Sequence, residues 1–283
     1  PAIDKTVYAD HTDYNIGGKG INVSKVLKKL NTDSLATGFL GKENGQEVKD
    51  ALDASGIEHH FIEIEGRVRT NTKLIQDGKL IEQNEKGPEV DENSVRQLFA
   101  YLSGFENEIV VISGSTSRNL DFSFYRRMVE LLKKKGNYVI LDCDGEMLKE
   151  GIKAKPDFIK PNKDEISAFF HIDYDRDEII RRCKALNLEN ICISLGGEGA
   201  LFIGKEIYEV EPLPVNFVSP VGAGDALVAG MTYGRYRNLD LKECIRVAIA
   251  CASASVEMTG SIPPEYEHIN DLIEKVEIRS VNL

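Results

Sequence analysis

Long apolar runs are missing from this chain of 283 residues. No stretch approaches the roughly 20 apolar residues of a membrane-spanning helix, and no signal-peptide pattern opens the sequence. Positive charge is in deficit: 35 Lys and Arg face 46 Asp and Glu, a formal net charge of −11. That balance excludes sequence-independent binding to nucleic acid or to an anionic membrane, which needs a basic surface. An anionic ligand would need a local cationic pocket set against the global field. The cysteines, Cys143, Cys183, Cys192, Cys244 and Cys251, are odd in number, widely spaced and without any Cys-x-x-Cys. This excludes a disulfide framework and predicts reduced thiols in a cytoplasmic protein. The histidines lack His-x-x-x-His spacing, and the adjacent His59 and His60 would face opposite sides of a strand, so no histidine metal site is expected.

What is present suits one α/β domain spanning 1–283 with a small appendage. Short apolar runs at Ile109 to Ile112, Tyr138 to Leu141 and Ile191 to Ile193 predict buried strands. Val23, Val26, Leu27 and Leu30 fall at helical spacing, as do Val95, Leu98, Phe99 and Leu102, and Tyr125, Met128, Val129 and Leu132. Strands alternating with helices imply βαβ units and a mostly parallel sheet covered on both faces. The stretch from about His59 to Glu82 is strand-like instead, with a hairpin signal at Asp77-Gly78. It predicts a small antiparallel flap whose open edges need a substrate or a second subunit. In the more helical C-terminal third, Ala248, Ala250, Ala252, Ser253 and Ala254 are small enough for close helix packing.

Polar and glycine-rich groups follow the predicted strands: Ser113-Gly114-Ser115, Asp142, Lys160-Pro161-Asn162 and Ser194-Leu195-Gly196-Gly197. In an open parallel sheet the ligand crevice lies at the carboxyl ends of the strands. Pro220-Val221-Gly222-Ala223-Gly224-Asp225 then enters a helix-like segment. Such a turn aims backbone amides and a helix N-terminus at one point, which suits a transferring phosphoryl group, and a carboxylate there can accept a hydroxyl proton. The alternative is a plain turn with a first-turn acid favourable to the dipole. The dinucleotide fingerprint fails at Leu227, and the phosphate-loop skeleton from Gly199 to Lys205 fails at Glu206.

Three further segments carry paired readings. Gly17-Gly18-Lys19-Gly20-Ile21-Asn22 could serve a sugar phosphate or be a glycine turn with a solvated lysine. Asn162-Lys163-Asp164-Glu165 could organise Mg²⁺ near nucleotide phosphates or form a helix-capping box. Arg69, Asn71 and Lys73 alternate onto one strand face, either gripping a phosphate or facing solvent.

Together these segments, with Pro1-Ala2-Ile3-Asp4 and Glu85-Lys86-Gly87-Pro88, resemble in order the ribokinase-like, or PfkB-type, family of sugar kinases. The resemblance implies a three-layer α/β/α sandwich, its mostly parallel sheet carrying a β lid formed by about 5–15 and 59–83, which two subunits often share. It implies ATP and Mg²⁺, with Asp225 as catalytic base and Gly222, Ala223 and Gly224 as the anion hole. Asn162 and Glu165 match the Mg²⁺ and phosphate motif, Glu165 acting through water. Ser194, Gly196, Gly197 and Gly199 match the nucleotide-side loop, beside Gly224. Asp4, Gly18 and Asn22 match contacts to sugar hydroxyls, with Ser115 also on the substrate side. Lys19, Arg69, Asn71 and Lys73 resemble the branch acting on phosphorylated sugars, which contains 1-phosphofructokinases and tagatose-6-phosphate kinases. The Arg-x-Asn-x-Lys form leans toward fructose 1-phosphate. A sugar-phosphate sensor without catalysis is the rival from another class. The chain departs from the family at Val68, usually threonine, and at Thr116-Ser117, usually Leu-Pro. The resemblance also leads one to expect a strand before Pro1 and more residues near Asp10-His11.

Overall fold

The computed structural model describes residues 12, 14–76, 79–115, 117 and 119–282. Asp4 with its Pro1–Asp4 motif, most of the 5–15 lid segment, the Asp77-Gly78 turn and Thr116 lie outside them, as does the side chain of Lys73. The N-terminal part runs α1 (Lys19–Lys29), β1 (Leu35–Gly41), α2 (Gly45–Ala54), β2 (Glu58–Ile64), β3 (Asn71–Gln76) and β4 (Lys79–Asn84). The middle runs α3 (Glu92–Leu102), β5 (Ile109–Ser113), α4 (Ser123–Lys134), β6 (Tyr138–Asp142), α5 (Gly145–Ile152), β7 (Phe158–Ile159), α6 (Lys163–Phe170), α7 (Arg176–Ala185) and β8 (Asn190–Ser194). The C-terminal part adds β9 (Ala200–Ile203), β10 (Ile207–Val210), α8 (Ala223–Tyr236), α9 (Leu241–Ser255), α10 (Tyr266–Ile273) and β11 (Ile278–Val281).

The seven-stranded sheet has the order β11-β10-β9-β8-β7-β6-β5. From β5 to β8 neighbours are parallel, joined by helical crossovers, whereas β8 to β11 are antiparallel. The sheet is therefore mixed. The antiparallel part arises because β9 and β10 are separated only by Gly204, Lys205 and Glu206, too short a link for a helical crossover. Residue parity divides the core. Val139 and Leu141 face α3 to α7, while Ile140 faces α1, α8, α9 and α10. Ile191 and Ile193 likewise oppose Cys192. Helices thus cover both faces, which is why these strands read as unbroken apolar runs.

The 58–64 segment corrects the expected flap. It is β2, and it pairs parallel with β1 in a separate two-stranded sheet. Its Ile62 is buried in the same core as Leu98 of α3, so this strand belongs to the body. Alternation alone could not reveal the partner's direction. Only β3 and β4 form the antiparallel hairpin. Among the described residues, the outer edges of β1 and β5 have no strand partner. Both line one cavity of about 1310 Å³, floored by Val23 and Leu27 of α1.

The small residues of α9 do pack closely. A Cβ added at Gly230 of α8 would stand 2.5 Å from Ala248 Cα and 2.9 Å from Val247 O. One added at Gly234 would stand 2.6 Å from Cys244 Sγ. The first obstacle is backbone, which cannot swing aside. We expect Gly230→Ala to destabilise by about 1–3 kcal/mol, seen as a fall in Tm of roughly 2–4 °C per kcal/mol. An unchanged melting curve would show that the two helices have slack at this contact.

Candidate active site

The strand-end groups gather at one edge of the sheet. Ser113 and Asp142 are register partners at the ends of β5 and β6, and Asn162, beyond β7, makes a parallel bridge to Ser194 at the end of β8. Gly222 precedes α8 with φ 84°, a left-handed conformation that glycine adopts without strain. No side chain caps α8; Ala223 N donates to Pro220 O at 3.4 Å, while the amides of Gly224 and Asp225 stand at the positive end of the helix dipole.

Asp225 lies in that first turn and is 8% exposed. Its Oδ2 accepts a 2.7 Å hydrogen bond from Asn22 Nδ2 on α1, which brings together residues 203 positions apart. The carboxylate is therefore neither a surface charge nor a helix cap. Burial pushes its pKa up; the Asn22 bond opposes this, Asp142 adds to it, and Lys19 and Lys160 oppose it, leaving a value of about 6. A carboxylate at about 6 is a stronger base than an ordinary aspartate and still ionised at neutral pH.

Two residues beside it were visible in the sequence only as strand-end groups without a role. Lys160 is 7% exposed, and its Nζ lies 3.3 Å from Asp142 Oδ1. The same Nζ would stand 3.0 Å from a Cβ at Gly224, so the ammonium rests against the start of α8. Burial alone would lower the Lys160 pKa, but the charges of Asp142 and Glu165 outweigh it and the net direction is upward. Lys19 Nζ lies 3.5 Å from Asp142 Oδ2. The signal for Asp142 and Lys160 was a charged residue at or just past the end of an otherwise apolar strand.

Gly18, Lys19, Gly20, Arg69, Gly114 and Ser115 line a common cavity. Arg69 Nη1 donates to Ser115 Oγ at 3.0 Å. The Tyr125 hydroxyl donates to Gly114 O at 2.8 Å, pinning the loop that carries Ser115. Arg69 precedes β3, whose first residue, Asn71, is exposed. Gly18 immediately precedes α1 with φ 123°.

Ser194 leads into a short 3-10 helix, Gly196–Glu198, that includes Gly197. Gly199 follows with φ 93°, and a Cβ there would meet Val210 O at 2.0 Å, so this glycine answers a backbone demand. Asn162 Oδ1 accepts from Glu165 N at 2.8 Å, and Glu165 Oε2 accepts from Asn162 N at 2.8 Å. The segment is thus a capping box opening α6, as one of its two readings required. Among the described residues no cluster of three or more His, Cys, Asp or Glu is placed to hold a metal.

The pfkB family carbohydrate kinase domain matches residues 3–268. The 1-phosphofructokinase of Borreliella burgdorferi is 32% identical over 281 residues, covering 97% of this chain and 91% of that protein. The tagatose-6-phosphate kinase of Staphylococcus epidermidis is 31% identical over 291 residues, covering 98% and 93%. The crystal structure of phosphofructokinase-2 from Escherichia coli, in complex with substrates and products, superposes with a TM-score of 0.86 at 26% identity, covering 92% and 87%. With the family match running through both the glycine turn at α8 and the lysine turn at α1, the chain belongs to the pfkB family of carbohydrate kinases.

Proposed function

We propose that this chain transfers the γ-phosphoryl group of ATP to the C6 hydroxyl of fructose 1-phosphate, giving fructose 1,6-bisphosphate and ADP. The observation that supports it is the buried Asp225 carboxylate at an uncapped helix N-terminus, flanked by Lys19 and Lys160. Asp225 takes the hydroxyl proton as the sugar oxygen bonds to phosphorus, and the electrons of the broken P–O bond leave on ADP. Amides of Gly222, Ala223, Gly224 and Asp225 face the charge that builds on the equatorial oxygens. Lys19 and Arg69 neutralise the phosphate already on the sugar, joined by Lys73, while Gly18, Asn22, Asn71, Ser115 and Asp4 meet its remaining oxygens. An unphosphorylated hexose would leave Lys19 and Arg69 without an anion.

The nucleotide lies against Ser194, Gly196, Gly197 and Gly199, with Asn162 and Gly224 toward its phosphates. The donor set suits Mg²⁺: a lone carboxylate, Glu165, fits an ion that keeps several waters and is otherwise held by phosphates. When bound, Mg²⁺ neutralises phosphate charge. The β3–β4 hairpin closes over the sugar, and a second copy covers its exposed face, which sedimentation would test. Five buried free cysteines favour a cytoplasmic setting; no helix among the described residues is long and apolar enough to cross a membrane.

Similarity to a tagatose-6-phosphate kinase supports a second reading, with tagatose 6-phosphate as acceptor. An ADP-release assay on fructose 1-phosphate, fructose 6-phosphate and tagatose 6-phosphate decides. We expect the highest kcat/KM on fructose 1-phosphate. A higher value on tagatose 6-phosphate would transfer the assignment to it, and binding without ADP release would indicate a sensor.

A further inference from the structure

We infer that Asp142 is a positioning residue for phosphoryl transfer, one buried carboxylate that spans Lys19 and Lys160 and so holds the cations at the two ends of the transfer. The inference rests on the functional reading above. Asp142 ends β6 and is 2% exposed. Oδ1 lies 3.3 Å from Lys160 Nζ and Oδ2 lies 3.5 Å from Lys19 Nζ, and Oδ2 has no hydrogen-bond partner of its own. The two lysines come from different elements. Lys19 starts α1, three residues before the Asn22 that bonds Asp225, whereas Lys160 follows β7 and touches the turn at Gly224. One carboxylate between two ammonium groups restrains both and offsets their mutual repulsion before any substrate arrives. Neither lysine has that restraint without it.

The arrangement also sets the charge around the base. Asn22 and Lys19 of α1, Asp142 of β6 and Lys160 beyond β7 are the groups that act on Asp225. Asp142 is the like charge among them, so its carboxylate works to keep Asp225 basic. A role limited to neutralising a buried lysine would affect folding stability and leave kcat on the pH plateau unchanged.

The test measures kcat and KM against pH for the wild type, Asp142→Asn and Asp142→Glu, with thermal melts alongside. In Asp142→Asn we expect kcat to fall about tenfold or more, since slack near 1 Å at reacting groups is that expensive. We expect its acid limb to move down by about one pH unit, because Asp225 loses a like charge and gains two uncompensated cations. Asp142→Glu keeps the charge but moves it, so the limb should stay and kcat should drop. Lowered Tm with wild-type plateau kcat in Asp142→Asn overturns the inference. If that variant does not fold, wild-type kcat in Asp142→Glu overturns it. A wild type that releases no ADP on any of the three sugar phosphates overturns the functional reading and this inference together, whereas an active wild type isolates the inference.

Discussion

Asp225→Asn should turn over about a thousandfold more slowly than the parent chain, with nucleotide binding near the parent's. The substitution keeps the shape of the side chain and its contact with Asn22, whose amide can donate to the new carbonyl oxygen as it did to Oδ2. The fold is therefore retained while the proposed proton acceptor is lost. ATP bound along the glycine turn still meets the same amides, because α8 has no side-chain cap to rearrange. The same residue fixes the pH behaviour. Its folded pKa is about 6, raised chiefly by burial. The active form is the ionised one, so the wild-type rate should be on its plateau at neutral pH and fall tenfold per unit as pH drops below that value. Rapid-quench turnover and calorimetric titration with ATP measure the two sides. Near-parental turnover in Asp225→Asn would remove the carboxylate from the reaction.

Loss of the sugar-side cations should appear in KM instead. Charged hydrogen bonds contribute about 1.5–3 kcal/mol each, so Arg69→Ala or Lys19→Met should raise the KM for the sugar phosphate roughly ten- to hundredfold. Arg69→Ala should change kcat little, since its guanidinium bonds Ser115, on the loop that follows β5. Lys19→Met should lower kcat as well, because Lys19 also reaches Asp142. Arg69→Lys should recover only part of the loss, as a lysine lacks the planar fork that grips two phosphate oxygens. Steady-state kinetics against the sugar phosphate at saturating ATP reads both effects. An unchanged KM in both variants would mean that the phosphate binds elsewhere.

The residues show why part of this was legible before folding. Ile109, Tyr138 and Ile191 each begin apolar runs that became β5, β6 and β8 with boundaries shifted by at most a residue. The helical spacings at Val23, Val95 and Tyr125 became the buried faces of α1, α3 and α4, because a continuous stripe can be hidden in only one way. The glycine turn into α8 was equally readable, since a left-handed Gly222 leaves a compositional mark. Pairing direction was not readable. His59 to Ile64 alternates as any half-buried strand does, and only the distant Leu35 to Gly41 determines that it lies parallel. Long-range polar contacts left no local mark either: nothing near Asn22 announces Asp225, and nothing near Asp142 announces two lysines. The capping box at Asn162 shows the opposite case, a local pattern whose geometry follows from its own four residues.

The close fit of α8 against α9 has a consequence for the chemistry. Gly234 and Gly222 are twelve residues apart on the chain, so α8 is an arm of about 18 Å between a tight fulcrum and the amides proposed to face the phosphoryl group. A tilt of about 3° at the fulcrum would swing the far end by about 1 Å, enough to spoil in-line alignment. Substitutions beneath Gly230 and Gly234 should therefore blunt the reaction well before they unfold the protein.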